Sequence, residues 1–432
     1  MGRLGADGRL LLDASDEVIQ VNLLEKLLVP LLSKLANLVV EGGIWLNTQR
    51  PEWNDANNAL VGQGLSMVTL YYMRRYVSFL LDLLATESGT TVLSEEVSLW
   101  LEQTAGALTR LSASLHEGAP SQEDRLSYLR QLGETASSYR QSLYAAGTLS
   151  TPVAHELDDI RTMLDSALAV IDHSINANLS PAGLYHAYNL LVADDRSLEI
   201  EHLYPMLEGQ VAALSSGAIK PADAIGILEN LFEGDLYLAR QKTFLLYPDR
   251  NLPGFLQKAV IPEDRARQLP VIGQMLVRSD HRLVERDADG TYRFNPALTN
   301  AQVLRETISE LENDYGEHLS KSVSALHELY EQVFNHRSFT GRAGGMFAFE
   351  GLGSIYWHMV SKLLLAVQEL FFAARDQDDD VDVQQRLGDL YYRVREGIGF
   401  NKTPCEYGAF PTDPYSHTPG HMGAQQPGMT GQ

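Results

Sequence analysis

Residues 60–86 read LVGQGLSMVTLYYMRRYVSFLLDLLAT. Leu65, Val68, Leu70, Tyr71, Tyr72, Tyr76, Phe79 and Leu83 fall on nearly every side of a 3.6-residue spiral. That spacing predicts a long helix enclosed in a helical assembly. The run before it, Glu17 to Glu41, sets Val18, Val21, Leu24, Leu27, Leu28, Leu31, Leu32, Leu35, Leu38 and Val39 at three- and four-residue steps. It predicts a helix with a wide apolar face, kinked at Pro30 and ended by Gly42-Gly43. Further helices are expected at 94–117, 121–146, 151–178, 197–215, 221–243, 300–313, 315–335, 353–375 and 383–396. Ser121-Gln-Glu-Asp124 is the capping signal of the second of these. Residues 179–196 read as a polar–aromatic loop. Residues 244–299 hold five prolines and a hairpin through Arg282–Glu285, Asp289-Gly290 and Thr291–Phe294. Strand signals are few, so the expected class is all-α. Fully apolar helices alternate with amphipathic ones, as in a toroid of helical hairpins with an inner and an outer ring. No short fixed repeat period is present, which disfavours solenoid arrays.

Composition narrows the function. A chain of 432 residues with 44% apolar content can bury a large core, and its net charge of −22 argues against nucleic-acid and anionic-membrane partners. No apolar run reaches the ~18 residues of a membrane span. Cys405 is the single cysteine, so an intrachain disulfide and a cysteine-based zinc site are both excluded. A cytoplasmic location is expected. The histidines form no helical ligand pair backed by a carboxylate, and no metal is expected. Walker, Gly-x-Gly-x-x-Gly and Gly-x-Ser-x-Gly motifs are absent.

Three segments mix aromatics, amides and titratable groups. The first is Asn47-Thr-Gln-Arg50-Pro-Glu52-Trp53-Asn54-Asp55-Ala-Asn-Asn58. Two readings stand open there: a polar turn with an Asx cap, or a sugar site. In the second reading the indole stacks on a pyranose, amides bind hydroxyls and a carboxyl handles a proton. The second segment is 335–358, where Arg337, Arg342 and the Gly344-Gly345 backbone could hold an anion. It ends on Glu350 and Tyr356-Trp357-His358; His358 reads either as a packing residue or as a ligand. The third is 399–432, with Glu406, Asp413, Gln425 and Thr430, read as a lid. Tyr185-His186-Ala-Tyr188-Asn189 is a fourth, weaker candidate.

Trp53-Asn54-Asp55, followed by Asn57-Asn58 and Val61-Gly62, resembles the Trp-Asn-Asp-Gly motif of the cellobiose/chitobiose phosphorylase family. These are inverting glycoside phosphorylases on a six-hairpin α/α toroid. Met429-Thr430-Gly431 is similar to that family's closing Leu-Thr-Gly-Thr segment. Gly344-Gly345-Met-Phe347-Ala-Phe349 looks like its Gly-Gly-x-Tyr-x-His segment, with Phe349 in place of the histidine. Ala56 replaces the motif glycine.

The resemblance implies an (α/α)6 toroid, incomplete, with a small β-hairpin insertion near 280–295. It implies a leading segment at 1–15, a catalytic domain at 16–398 and a truncated active-site loop or lid at 399–432. The family's β-sandwich and the helices before its general acid have no counterpart, so a piece of a longer protein is expected. Asp55 would be the general acid and Trp53 would line the sugar subsite with Arg50, Glu52, Asn54, Asn58, Tyr356, Trp357 and Gln425. Phosphate, the expected co-substrate, would meet Arg342, Gly345, His358 and Thr430; no cofactor is expected. An oligosaccharide or disaccharide is the expected partner, and a homodimer is allowed. Two alternatives stand beside phosphorolysis. One is an inverting hydrolase in which Glu350, Glu406 or Asp413 activates water. The other is a non-enzymatic sugar-binding or scaffold domain.

Overall fold

The computed structural model describes residues 11–12, 15, 17–47, 59–249, 254, 257–336, 339–340, 346–347, 355–377, 380–399, 402–403, 410–412 and 428–430. The chain divides into two compact units, one of residues 1–249 and 351–432, the other of residues 250–350.

In the first unit, helix α1 (Leu23–Leu35) begins on Asn22, whose side chain accepts from the Glu25 amide. Pro30 lies inside it. The helix stops six residues before the expected Glu41. The chain turns instead through strands β1 (Leu38–Val39) and β2 (Gly43–Trp45), with Leu38 opposite Ile44 and Val39 opposite Gly43. Strand β3 (Gly64–Ser66) runs into α2 (Met67–Leu84), capped by the Ser66 hydroxyl. Strand β4 (Thr90–Ser94) leads into α3 (Glu95–Leu115). The backbone amide and hydroxyl of Ser94 donate to buried Glu25, placing a carboxylate where the α3 dipole favours it.

Helix α4 (Gln122–Ala146) carries the anticipated Ser121–Asp124 capping box and ends on left-handed Gly147. Strand β5 (Pro152–Glu156) pairs with β4 and is followed by α5 (Leu157–Asn176). Strands β6 (Tyr188–Ala193) and β7 (Leu198–His202) occupy the stretch expected to be loop and helix. Then come α6 (Leu207–Leu214), α7 (Pro221–Glu233) and the short pair β8 (Tyr237–Leu238) and β9 (Thr243–Phe244).

The second unit holds α8 (Glu263–Gln268) and α9 (Pro270–Val277), then the hairpin of β10 (Val284–Arg286) and β11 (Tyr292–Phe294). This hairpin lies where the sequence predicts one. Helices α10 (Ala301–Ser320) and α11 (Val323–Phe334) follow, and the backbone of β12 (Phe339–Thr340) pairs with β13 (Met346–Phe347). The unit has its own core, in which Leu304, Ile308, Leu311, Leu326 and Leu329 pack with Val271, Ile272 and Leu283.

The chain then returns to the first unit as α12 (Trp357–Asp376) and α13 (Val381–Glu396), with the backbone pair β14 (Phe410–Thr412) and β15 (Gly428–Thr430) beyond them. Helix α2 packs on α5 and α6, α3 on α4 and α5, and α12 on α13, α6 and α7. Leu28, Leu32, Leu70, Tyr71, Ile160 and Leu363 are among the side chains sealed between them.

The all-α toroid is overturned. Among the described residues the structure is 58% helix and 13% strand. A curled five-stranded antiparallel sheet, ordered β1-β2-β3-β6-β7, stands among the helices. The physical reason is local brevity. Three of its strands span two or three residues and read as ends of the neighbouring apolar runs. Non-local pairing, Leu65 opposite Asn189 for example, decides their state.

Candidate functional site

Glu41, at φ 65°, is a non-glycine residue in the left-handed region at the turn between β1 and β2. Four partners hold it there. Its amide donates to the Ser174 hydroxyl at 3.0 Å, and its carbonyl accepts from the Asn178 amide at 2.7 Å. One carboxylate oxygen accepts from Arg125 of α4, and the other lies 3.0 Å from Nε2 of His173 on α5. Beside it, the Gly42 carbonyl accepts from Nδ2 of Asn189 at 2.8 Å. Asn189 also donates to Oδ1 of Asn178, and its own Oδ1 lies 2.8 Å from Nδ1 of His202. Asn178 and Asn189 are fully buried. The His202 ring stacks on that of His186, with centroids 4.4 Å apart and planes 12° apart. Burial, then the neighbouring His202, holds His186 below the usual imidazole range; burial does the same for His202, opposed by Glu41. Both Glu41 carboxylate oxygens are engaged, so the cluster fastens the sheet to α4 and α5 rather than presenting a proton donor.

This hub supports the strands that flank the first predicted segment. The Trp45 amide donates to the Asn37 carbonyl, and the Leu46 amide and carbonyl pair with Gly64 and Gly62. The Trp45 indole donates to the Gly62 carbonyl at 3.0 Å, and the Asn47 amide to Oδ1 of Asn37 at 2.6 Å. Ala59 and Leu60, where the described chain resumes, are buried. Both feet of the segment are therefore pinned. Arg50, Glu52, Trp53, Asn54, Asp55 and Asn58 themselves lie outside the described residues.

Of the other predicted residues, Tyr356, Trp357 and His358 come together at the start of α12. Tyr356 is its extended N-cap, and the exposed His358 ring lies 5.7 Å from that of Tyr356. Ile355, just before, bridges to Leu245 beside β9. Arg342, Gly345, Glu350, Glu406, Asp413 and Gln425 lie outside the described residues. Thr430 pairs through its backbone with Phe410, and its side chain lies outside them.

A groove of about 660 Å³ opens between α2, the 214–221 turn and α12. Arg75 crosses it to Glu369 through two bonds of 2.9 and 3.0 Å, beside the exposed rings of Phe79 and Phe372. Among the described residues no cluster of three or more potential ligands could hold a metal ion, and no helix is long and apolar enough to cross a membrane.

The hub was only partly visible in sequence. His186 and Asn189 belong to the weak 185–189 candidate, whereas Glu41 and Gly42 read as a helix end. The signal available was a glutamate before paired glycines, which is a turn composition.

Residues 252–337 match the family model described as GH149 phosphorylase insertion domain 2. The match lies wholly within the second unit, at 250–350. It supports a glycoside phosphorylase family, and not the cellobiose/chitobiose phosphorylases in particular. No curated protein matches the chain.

Proposed function

We propose that the chain is part of an inverting glycoside phosphorylase, taking as its premise that residues 252–337 match an insertion domain of a phosphorylase. The observation that carries this reading is topological. The matched residues form a unit with its own core, and the first unit continues on both sides of it. That is the arrangement an insertion domain requires.

In the proposed reaction, protonated Asp55 gives its proton to the glycosidic oxygen as the bond from that oxygen to the anomeric carbon breaks. A phosphate oxygen forms the new bond to that carbon from the opposite face, so the product is an inverted sugar 1-phosphate. The proton returns to Asp55 from solvent after the sugar leaves. Trp53 would stack on the sugar, with Arg50, Glu52, Asn54, Asn58, Tyr356, Trp357 and Gln425 binding hydroxyls. Arg342, the Gly345 amide, His358 and Thr430 would receive phosphate. The hub at Glu41 and the clamp between Asn37 and Asn47 support this reading by fixing both feet of the Asp55 segment. A cytoplasmic location and a carbohydrate substrate belong to the same proposal.

The test is a panel of disaccharides and oligosaccharides with and without inorganic phosphate, assayed for sugar 1-phosphate. The expected result is strict phosphate dependence and loss of at least about 100-fold in kcat for Asp55→Asn. Cleavage without phosphate, yielding an inverted free sugar, would replace the reading with a hydrolase in which Glu350, Glu406 or Asp413 activates water. Full turnover by Asp55→Asn would remove Asp55 from the mechanism.

A further inference from the structure

The stacked histidines close one end of the β6–β7 pair. His186 lies just before β6, and His202, the last residue of β7, is the register partner of Asn189. Nδ1 of His186 donates to the Leu203 carbonyl at 2.7 Å, which fixes its tautomer. Nδ1 of His202 meets Oδ1 of Asn189, whose other atom is already committed as a donor to Gly42 and Asn178, so here too the imidazole donates. Each ring therefore carries its first proton on Nδ1, and Nε2 is the nitrogen that would take a second. His186 is only 9% exposed, whereas His202 is at the surface and water reaches it.

We propose that the His186–His202 stack is an acid-sensitive latch that holds this end of the sheet shut at neutral pH and releases it on protonation. Two parallel rings 4.4 Å apart cannot both carry charge without repelling, and a charged His186 would be buried against the sheet. A shared metal ion is not the alternative. A metal lies in the plane of each imidazole that ligates it, and stacked planes 12° apart share no such point nearby.

The charged and titratable groups packed around the pair do not offset a second proton. Glu41 faces His202 from the β1–β2 turn, but Arg125 from α4 and His173 from α5 already occupy its carboxylate. From α2, the Tyr71 hydroxyl donates to the His186 carbonyl, and burial keeps that phenol protonated well above its ordinary range. Among the described residues, the other hydrogen bonds on the pair go to neutral groups: Asn189, the Leu203 carbonyl and the Asn178 carbonyl, which accepts from the His186 amide.

Release has a defined route. Opening the stack frees Asn189, which holds the Gly42 carbonyl and Asn178, and Asn178 in turn holds the Glu41 carbonyl. On the other side it loosens Ala187, whose carbonyl receives the first amides of α2. The direction follows from the lowered proton affinities. The open form binds protons more readily than the stacked one, so opening is favoured as pH falls below the ordinary imidazole value of 6.5. Each proton taken up multiplies the opening constant by up to about tenfold per pH unit.

The test is hydrogen exchange of the full chain read by mass spectrometry at about pH 7.5 and about pH 5, corrected for intrinsic rates and referred to α3 as an internal standard. Protection of 186–203 and of the 40–45 turn should fall at least about tenfold at the lower pH. In His202→Asn and His186→Asn, whose amide nitrogens replace Nδ1 as donors, that fall should be reduced to less than about threefold. An unchanged acid response in either variant would overturn the proposal. So would a wild-type protein whose 186–203 protection does not respond to pH, a result that stands even if a variant does not fold.

Discussion

Replacing Glu41 tests the hub most directly. Glu41→Ala removes the acceptor of both Arg125 and His173 while leaving an L-residue at φ 65°. The two partners of the Arg125–Glu41 pair are 16% and 14% exposed, so the bond is shielded from water but not sealed. Hydrogen bonds to charged groups contribute about 1.5–3 kcal/mol each, and stripping the partner from a buried cation costs about 3–5 kcal/mol. Incomplete burial places the expected loss near the lower figure, at about 3 kcal/mol. Glu41→Gly deletes the same carboxylate but relieves a left-handed conformation that costs an L-residue about 1–2 kcal/mol, partly offset by the entropy of glycine. It should therefore lose only about 2 kcal/mol. Urea unfolding followed by far-ultraviolet circular dichroism reads both variants. A Glu41→Ala protein within about 0.5 kcal/mol of wild type would refute the stabilising role of the pair. A Glu41→Gly protein less stable than Glu41→Ala would refute the assignment of strain.

Gly43→Ala should cost more than about 2 kcal/mol in the same assay, because φ is +116° and a Cβ would stand 2.8 Å from the Ser66 backbone. Glu25→Ala should lose about 2–3 kcal/mol, since it strips a buried carboxylate from the Ser94 amide and hydroxyl at the start of α3. In the second unit, Arg282 and then Tyr315 hold the Asp280 carboxyl well below the usual carboxylate range. A depressed acid contributes stability above its unfolded value of 3.8 and loses it as pH falls through the folded one. The stability gap between wild type and Asp280→Asn should accordingly be about 2 kcal/mol at neutral pH and close on acidification. A gap independent of pH would refute that account.

Where the fold was legible, the information was local. Ser121 and Asp124 sit three residues apart and make their capping box wherever the rest of the chain goes. Asp289-Gly290 likewise sits in the 287–291 turn of its hairpin with no help from distant residues. The sheet depended on partners far along the chain. Gly64-Leu65-Ser66 has no alternation of its own and becomes a strand because Leu190, Asn189 and Tyr188 lie beside it. One signal was present and unused, the alternation of Leu198-Glu-Ile-Glu-His202, which is a half-buried strand pattern. The hub was illegible for the same reason as the sheet. Glu41 meets Arg125, His173 and Asn178 at separations of 84, 132 and 137 residues. Among the described residues of the predicted sugar and phosphate set, Tyr356, Trp357 and His358 are placed as a group, by the start of a helix whose apolar periodicity was plain.

The interruption of the first unit by the second has a consequence for biosynthesis. Helices α6 and α7 leave the ribosome well before α12 and α13, which cover them in the finished molecule. At roughly 5–20 residues per second, translating the intervening hundred or so residues leaves their apolar faces bare for about 5–20 s. During that interval the nascent chain carries an unfinished hydrophobic core beside a newly closed domain. The need for a holding chaperone is therefore set by the length of the inserted unit, and a deletion that shortens it should raise the soluble yield of the first unit.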